Sequence, residues 1–174
     1  MTPPIAVASL SLIVVLVMML GEAYISGRNE RQLRQRGAIE PPDDVYSTMQ
    51  WAYPAAFVAM AFEGAILGPQ PGAITGAGAL LLGASKALKW WAMASLGTRW
   101  TFRVLVVPGV PLVTHGPYAV LRHPNYVAVV GELAGMALLV GARVSGPLAT
   151  LLFSLLLWRR ILVEDRALRH PPCT

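Results

Sequence analysis

Cysteine is all but missing from this chain. Its single example, Cys173, has no partner for an intrachain disulfide, and a zinc cluster or a thiol nucleophile is not expected. The residues suggest no other metal site. Charge is scarce too: 13% of the 174 residues are Asp, Glu, Lys or Arg, against roughly 25% in a soluble domain. The shortage is concentrated in residues 1–21, 45–62, 64–85 and 144–158, which carry no charged side chain. No basic stretch precedes the first apolar run, and no clear small-x-small cleavage site precedes Glu22, so a retained first helix is expected in place of a secretory signal. His-Glu-x-x-His, a P-loop and a strand-bound Gly-x-Gly-x-x-Gly are all absent, which removes the commonest metalloprotease and nucleotide-binding signatures.

The long apolar runs meet or approach the roughly 20 residues that a bilayer-spanning helix needs. They predict an all-α, polytopic integral membrane protein, a single domain over residues 1–174. Five transmembrane helices are expected, at about 4–25, 47–67, 73–95, 125–141 and 147–163. Gly68-Pro69-Gln70-Pro71-Gly72 turns the chain between the second and third. Arg143 to Pro147 turns it between the last two, which should form an antiparallel hairpin. Eleven of the fourteen basic residues fall after the first helix, between the third and fourth, or after the fifth, Arg159, Arg160, Arg166 and Arg169 among them. Five spans put all three groups on one side, and the positive-inside rule makes that side cytoplasmic and the N-terminus external. Lys86 and Lys89 are expected to snorkel out at the cytoplasmic end of the third helix. The net charge of +5 is thus explained by orientation in the membrane, and no nucleic-acid partner is expected.

Chemistry must gather in the polar stretch His115-Gly116-Pro117-Tyr118-Ala119-Val120-Leu121-Arg122-His123-Pro124-Asn125-Tyr126. Its glycine and prolines favour a shaped, ordered loop. Irregular backbone at membrane depth is tolerable only against protein or water, which points to a lined pocket at the cytoplasmic surface. Arg122 offers a planar donor fork, His123 a neutral donor or acceptor, and Tyr118 and Tyr126 an aromatic face with a hydroxyl. Such groups suit an adenosyl sulfonium cofactor, whose cation favours aromatic faces and carboxylates. The bland alternative for His123 is a hydrogen bonder at a helix start, and nothing fixes a role for His115. Arg28, Arg31 and Arg34 are read either as a solvated cluster that sets orientation or as a clamp for a polar substrate head, within a polar segment over residues 26–44. Glu132 either pairs near the pocket or makes a contact between helices; Glu63 is read as structural. Glu164-Asp165 is either a salt-linked helix terminus or, if the chain returns to the loop, a contact to ribose or substrate.

Gly116-Pro117-Tyr118, Arg122-His123-Pro124-Asn125-Tyr126 and Glu164-Asp165-Arg166-Ala167-Leu168 together resemble the isoprenylcysteine carboxyl methyltransferase family, whose wider group includes phospholipid N-methyltransferases. The resemblance is strongest over residues 97–168. It implies S-adenosyl-L-methionine bound between the last two membrane helices and their cytosolic flanks. Gly116, Pro117, Tyr118, His123, Pro124 and Tyr126 would form the cofactor wall, with Glu164 closing it. Arg28-Asn29-Glu30, Gly37-Ala38-Ile39-Glu40 and Leu96-Gly97-Thr98-Arg99-Trp100 are similar to a small bacterial branch, some members of which O-methylate alkylpyrones or alkylresorcinols. That branch would place the chain in a bacterial inner membrane.

The expected activity is methyl transfer to a carboxylate or to a phenolic or enolic hydroxyl of a lipophilic acceptor that enters from the membrane. Arg122, His123 and Glu164 are the expected catalytic residues. A phenol would need a base, for which His123, His115 and Glu164 all remain open; a carboxylate would need none and would be positioned by Arg99 or Arg103. Arg28 and Glu132 complete the expected substrate contacts. A nicotinamide-dependent membrane reductase and a noncatalytic membrane binder are the competing readings.

Overall fold

The computed structural model describes residues 4–169; Cys173 lies outside them. Five α-helices make up the fold: α1 Pro4–Gln35, α2 Tyr46–Leu67, α3 Gly72–Leu96, α4 Pro124–Val140 and α5 Ser145–Arg169. Short 3-10 turns occupy Gly97–Arg99 and Gly116–Ala119. Among the described residues there is no strand, and the backbones of Ile39 and Val106 pair as an isolated antiparallel bridge. The expected helix number and order hold. α1 and α5 are long and apolar enough to cross a membrane, and α4 is a shorter apolar helix.

Two boundaries differ from expectation. α1 does not stop near residue 25; Arg28, Arg31 and Arg34 continue it to Gln35. Residues 26–35 contain no proline, and Glu30 sits four residues before Arg34 with their side chains 2.8 Å apart, a spacing that supports a helix. α5 likewise runs through Glu164 and Asp165 to Arg169, so Arg159, Arg160 and Arg166 belong to the helix, not to a tail.

The core is apolar and shared. Val15 of α1, Phe57 and Met60 of α2, Leu133, Met136 and Val140 of α4, and Phe153 and Leu157 of α5 pack in one cluster. The Tyr53 ring meets Phe57 edge-on at 5.0 Å and Phe153 at 4.9 Å. α3 and α4 approach through small residues: a Cβ on Gly135 would lie 2.6 Å from the backbone nitrogen of Leu82, so only glycine allows this spacing. Glu63 is structural, as expected. Its carboxylate accepts the amides of Arg143, Val144 and Ser145 at 2.8, 2.9 and 2.7 Å, which satisfies the orphan donors at the start of α5. Ile5, Leu10, Val17, Leu20, Leu80, Leu151, Leu155 and Trp158 remain exposed, an outward face suited to lipid.

Lys86 and Lys89 depart most from expectation. Neither snorkels; they are 5% and 2% exposed. Lys86 lies 3.0 Å from Glu22 and 2.8 Å from Glu132, and Lys89 lies 2.7 Å and 3.4 Å from the same two carboxylates. The Lys89 contacts are close charge pairs without the alignment of a directed hydrogen bond. Tyr53 donates its hydroxyl to Glu132 at 2.7 Å. The result is a closed, charge-neutral ring of two acids and two bases supplied by α1, α3 and α4, with α2 attached through Tyr53. Burial without counter-charge is costly at membrane depth, so pairing wins over snorkelling.

Removing one member leaves its partners charged and buried. Glu22→Leu is therefore expected to cost about 3–5 kcal/mol of stability. Replacing all four ring residues with apolar ones of similar size is expected to recover most of that loss. Thermal unfolding in detergent micelles checks both; a single variant that melts with the wild type would show that the ring contributes nothing.

Candidate functional site

The pocket is built where the start of α4 meets the end of α5. Gly116 opens the 3-10 turn of this region with φ +62, a backbone conformation that favours glycine, and a Cβ there would press on the Ser95 hydroxyl. Pro117 is buried beside it, and the turn presents Tyr118 to the cavity. Pro124 takes the first position of α4, where its missing amide hydrogen costs nothing. His123 precedes it, and Tyr126 follows within the first turn.

α5 brings Glu164 and Asp165 to these residues. Tyr126 donates its hydroxyl to Glu164 Oε2 at 2.5 Å. His123 Nδ1 lies 3.9 Å from Glu164 Oε2 and its Nε2 lies 3.5 Å from Asp165 Oδ1. The His123 and Tyr126 rings stack at 5.4 Å. Arg122 pairs with Asp165 at 2.9 Å. Glu164-Asp165 is thus more than a helix terminus: the return of the chain to the loop, one of the two readings, is what the structure shows.

These groups line a cavity of about 460 Å³. Its other wall is apolar, from Leu33, Leu96, Val104, Val106 and Leu112. The segment after α3 is held there by other elements. Asn29 of α1 donates to the carbonyls of Gly97 and Trp100 at 3.2 and 2.8 Å. The Ser26 hydroxyl accepts the Phe102 amide at 2.8 Å. Trp100 donates its indole N–H to Asn125 at 3.3 Å. Burial and the neighbouring Glu164 carboxylate push the Tyr118 hydroxyl well above its ordinary value, so at neutral pH it remains a proton-bearing donor.

The candidate residues divide into three groups. Tyr118, Arg122, His123, Tyr126 and Glu164 line the cavity, as do Arg99 and Arg103. Gly116, Pro117 and Pro124 shape its backbone from behind. Arg28 and Glu132 stand apart from the lining. Arg28 is exposed on α1, because the buried face of that helix runs through Glu22, Ser26, Asn29 and Leu33; Glu132 is 0% exposed and committed to the charge ring. His115 is exposed and also outside the lining. Arg103 reaches the cavity already paired, 2.6 Å from Glu40 and 3.3 Å from Glu30. Arg99 donates to the Pro111 carbonyl at 2.6 Å.

Arg160 is the residue that sequence reasoning missed. It lines the cavity while only 5% exposed. Its Nε donates to the Tyr126 hydroxyl at 3.0 Å, its Nη1 lies 3.3 Å from Asp44, and its Nη2 donates to the Phe102 carbonyl. One arginine therefore links α4, α5, the segment after α3 and the connector between α1 and α2. Its place four residues before Glu164, on the same helix face, is the signal that points to it; for Asp44 there is no local signal.

The family described as the isoprenylcysteine carboxyl methyltransferase (ICMT) family matches residues 78–170, which include every cavity-lining group named above except Leu33. An uncharacterized protein of Bacillus subtilis (strain 168), YpbQ, is 33% identical over 158 residues, 90% of this chain and 94% of that one. No solved structure matches.

The polar contacts of the site can be tested singly. Tyr126→Phe leaves the buried Arg160 Nε without an acceptor and is expected to lower stability by about 1–3 kcal/mol with unchanged helix content, read by circular dichroism and thermal melting. Burial pushes the Glu40 carboxyl up, but hydrogen bonds from Arg103 and Arg34 outweigh it and hold the group below its ordinary value. Its contribution to stability is then present above the unfolded-state pKa and lost as pH falls through the folded one. Glu40→Gln should flatten the acid limb of a stability-against-pH profile, and an unaltered limb would remove Glu40 from the account.

Proposed function

Because the chain belongs to the isoprenylcysteine carboxyl methyltransferase family, a family of membrane methyltransferases that use S-adenosylmethionine, we propose that it methylates an oxygen of a lipophilic acceptor. The observation that carries this reading is the meeting of His123, Tyr126 and Glu164 around one cavity, with Tyr126 and Glu164 in contact at 2.5 Å.

The residues fit an adenosyl sulfonium group. His123 Nε2 is buried without a directed hydrogen bond, 3.5 Å from Asp165 Oδ1, so the polar groups of this wall are not fully satisfied by one another. Glu164 supplies a carboxylate, and Tyr118 and Tyr126 supply aromatic faces, the combination that favours an organic cation. Tyr118, His123, Tyr126 and Glu164 would hold the cofactor, with Gly116, Pro117 and Pro124 fixing the loop. Bound there, it supplies an electrophilic methyl group. No covalent intermediate with the protein is needed, and the chain's contribution is alignment of the two reactants.

For a phenolic or enolic acceptor, His123 is the group that takes the proton; the exposure of His115 and the bond from Tyr126 to Glu164 make those two groups poorer bases. For a carboxylate acceptor no base is required. Arg122 orients the loop through Asp165. The acceptor class is that of alkyl-bearing carboxylates and phenolic or enolic lipids, reaching the apolar wall from the bilayer. The proposed setting is a bacterial inner membrane crossed five times, with the N-terminus outside and the pocket and C-terminus cytoplasmic, in line with the grouping of the arginines.

Purified protein in detergent tests this by calorimetric titration with S-adenosylhomocysteine and, separately, with NADPH, followed by methyl transfer from labelled S-adenosylmethionine to a panel of alkyl phenols, alkylpyrones and fatty acids. Saturable S-adenosylhomocysteine binding and label in an acceptor are expected. His123→Ala should weaken binding about tenfold, the loss of one hydrogen bond to a charged group, without altering membrane insertion. Saturable NADPH binding with none for S-adenosylhomocysteine would replace this reading with a reductase. Cofactor binding with no transfer to any acceptor would leave a binding protein.

A further inference from the structure

The charge ring takes no part in the chemistry above, yet it costs desolvation to keep. We propose that Glu22 is a positioning residue for the pocket: the ring sets the axial register of α1, and α1 in turn holds the Gly97–Phe102 segment that forms a pocket wall. This rests on the pocket being the cofactor site just proposed.

Register is the open question for α1. Its fully buried residues are Ala8, Val15, Glu22, Ser26, Asn29 and Leu33, and the larger apolar side chains Leu12 and Met19 pack against the core only in part. Between lipid-facing helices the hydrophobic effect favours no register over another, because lipid tails are as apolar as side chains. Ala8 and Val15 are small, and the half-buried, flexible side chains of Leu12 and Met19 adapt to more than one alignment. Glu22 is different. A slide of one turn, about 5.4 Å, would take its carboxylate from both lysines and leave Lys86 and Lys89 sharing Glu132, with one buried positive charge in excess. Only one register of α1 closes the ring.

That register is what the pocket uses. Ser26 and Asn29 follow Glu22 by one and two helical turns on the same face. Asn29 holds the Gly97 and Trp100 carbonyls, and Ser26 holds the Phe102 amide. Trp100 binds Asn125 beside Tyr126, and the Phe102 carbonyl accepts from Arg160. Leu33, one turn further, lines the cavity itself. A displaced α1 would carry these contacts with it.

A double-mutant cycle separates positioning from mere stability. Glu22→Gln and Asn29→Ala, in the full-length protein below its melting temperature, are each expected to weaken S-adenosylhomocysteine binding about tenfold, and the double variant is expected to bind no worse than about tenfold weaker, since both act through one contact. Additive losses, near a hundredfold together, or unchanged binding in Glu22→Gln would overturn the proposal. A cofactor-independent readout accompanies it: 5-fluorotryptophan in place of tryptophan, with the Trp100 resonance assigned by Trp100→Phe. Glu22→Gln should shift that resonance as Asn29→Ala does; a resonance that stays in place would also overturn it. Wild-type protein that binds no S-adenosylhomocysteine would sink the methyl-transfer reading, while the fluorine signal would still decide the positioning role. If Glu22→Gln does not accumulate, Glu22→Gln/Lys86→Gln keeps the ring neutral, and the same coupling to Asn29→Ala is expected.

Discussion

Four buried charges hold this bundle to one arrangement. Glu22, Lys86, Lys89 and Glu132 alternate in sign around a ring closed by contacts of 2.7 to 3.4 Å. Along α1, the remaining packing within the apolar core comes from Ala8, Leu12, Val15 and Met19, and such surfaces tolerate more than one alignment. A ring of charges does not, because any slippage exposes an unpaired ion to hydrocarbon. Whether such a cluster adds net stability over apolar residues is a separate matter; its worth here lies in specificity. Tyr53 extends the effect to α2 through its bond to Glu132.

The pocket follows from that alignment and from the hairpin of α4 and α5. Glu63 satisfies the amides at the beginning of α5, and Tyr126 meets Glu164 at the far end. The hairpin is thus tied at both ends by carboxylates. Arg160 draws the remaining elements inward, with Asp44 as its counter-charge. Of the arginines that line the cavity, Arg103, Arg122 and Arg160 each face a carboxylate of the chain itself. The polar wall therefore arrives largely preorganised, with little rearrangement needed to present His123 and Glu164 together.

Much of this architecture is legible in the order of the amino acids. Helix number, order and turns follow from apolar length and from Gly-Pro punctuation. The two ends of the pocket stand out because Gly116 to Tyr126 and Glu164-Asp165 are polar groups in an otherwise apolar chain. Long-range pairing is what local composition hides. Lys86 and Lys89 look like snorkelling residues because a charge near the end of an apolar run normally reaches water; their partners lie 64 residues before Lys86 in Glu22 and on α4. Arg160 looks like a tail charge for the same reason, and Asp44, 116 residues away from it, gives no hint. The end of α1 lies beyond its expected place because hydropathy falls at Glu22, whereas helix formers continue to Gln35. Composition tells whether a residue prefers lipid. It does not tell that an opposite charge waits there.

The bond between Tyr126 and Glu164 has a consequence for synthesis. Glu164 lies on α5, the last in chain order of the described helices, and the cavity also draws a wall from α1, the first of them. During translation α1 to α4 emerge ahead of α5, so the cavity lacks its Glu164 side until α5 has been made. A chain that has α1 to α4 but not yet α5 therefore has an incomplete cavity wall, and the two faces meet only once both ends of the bundle exist.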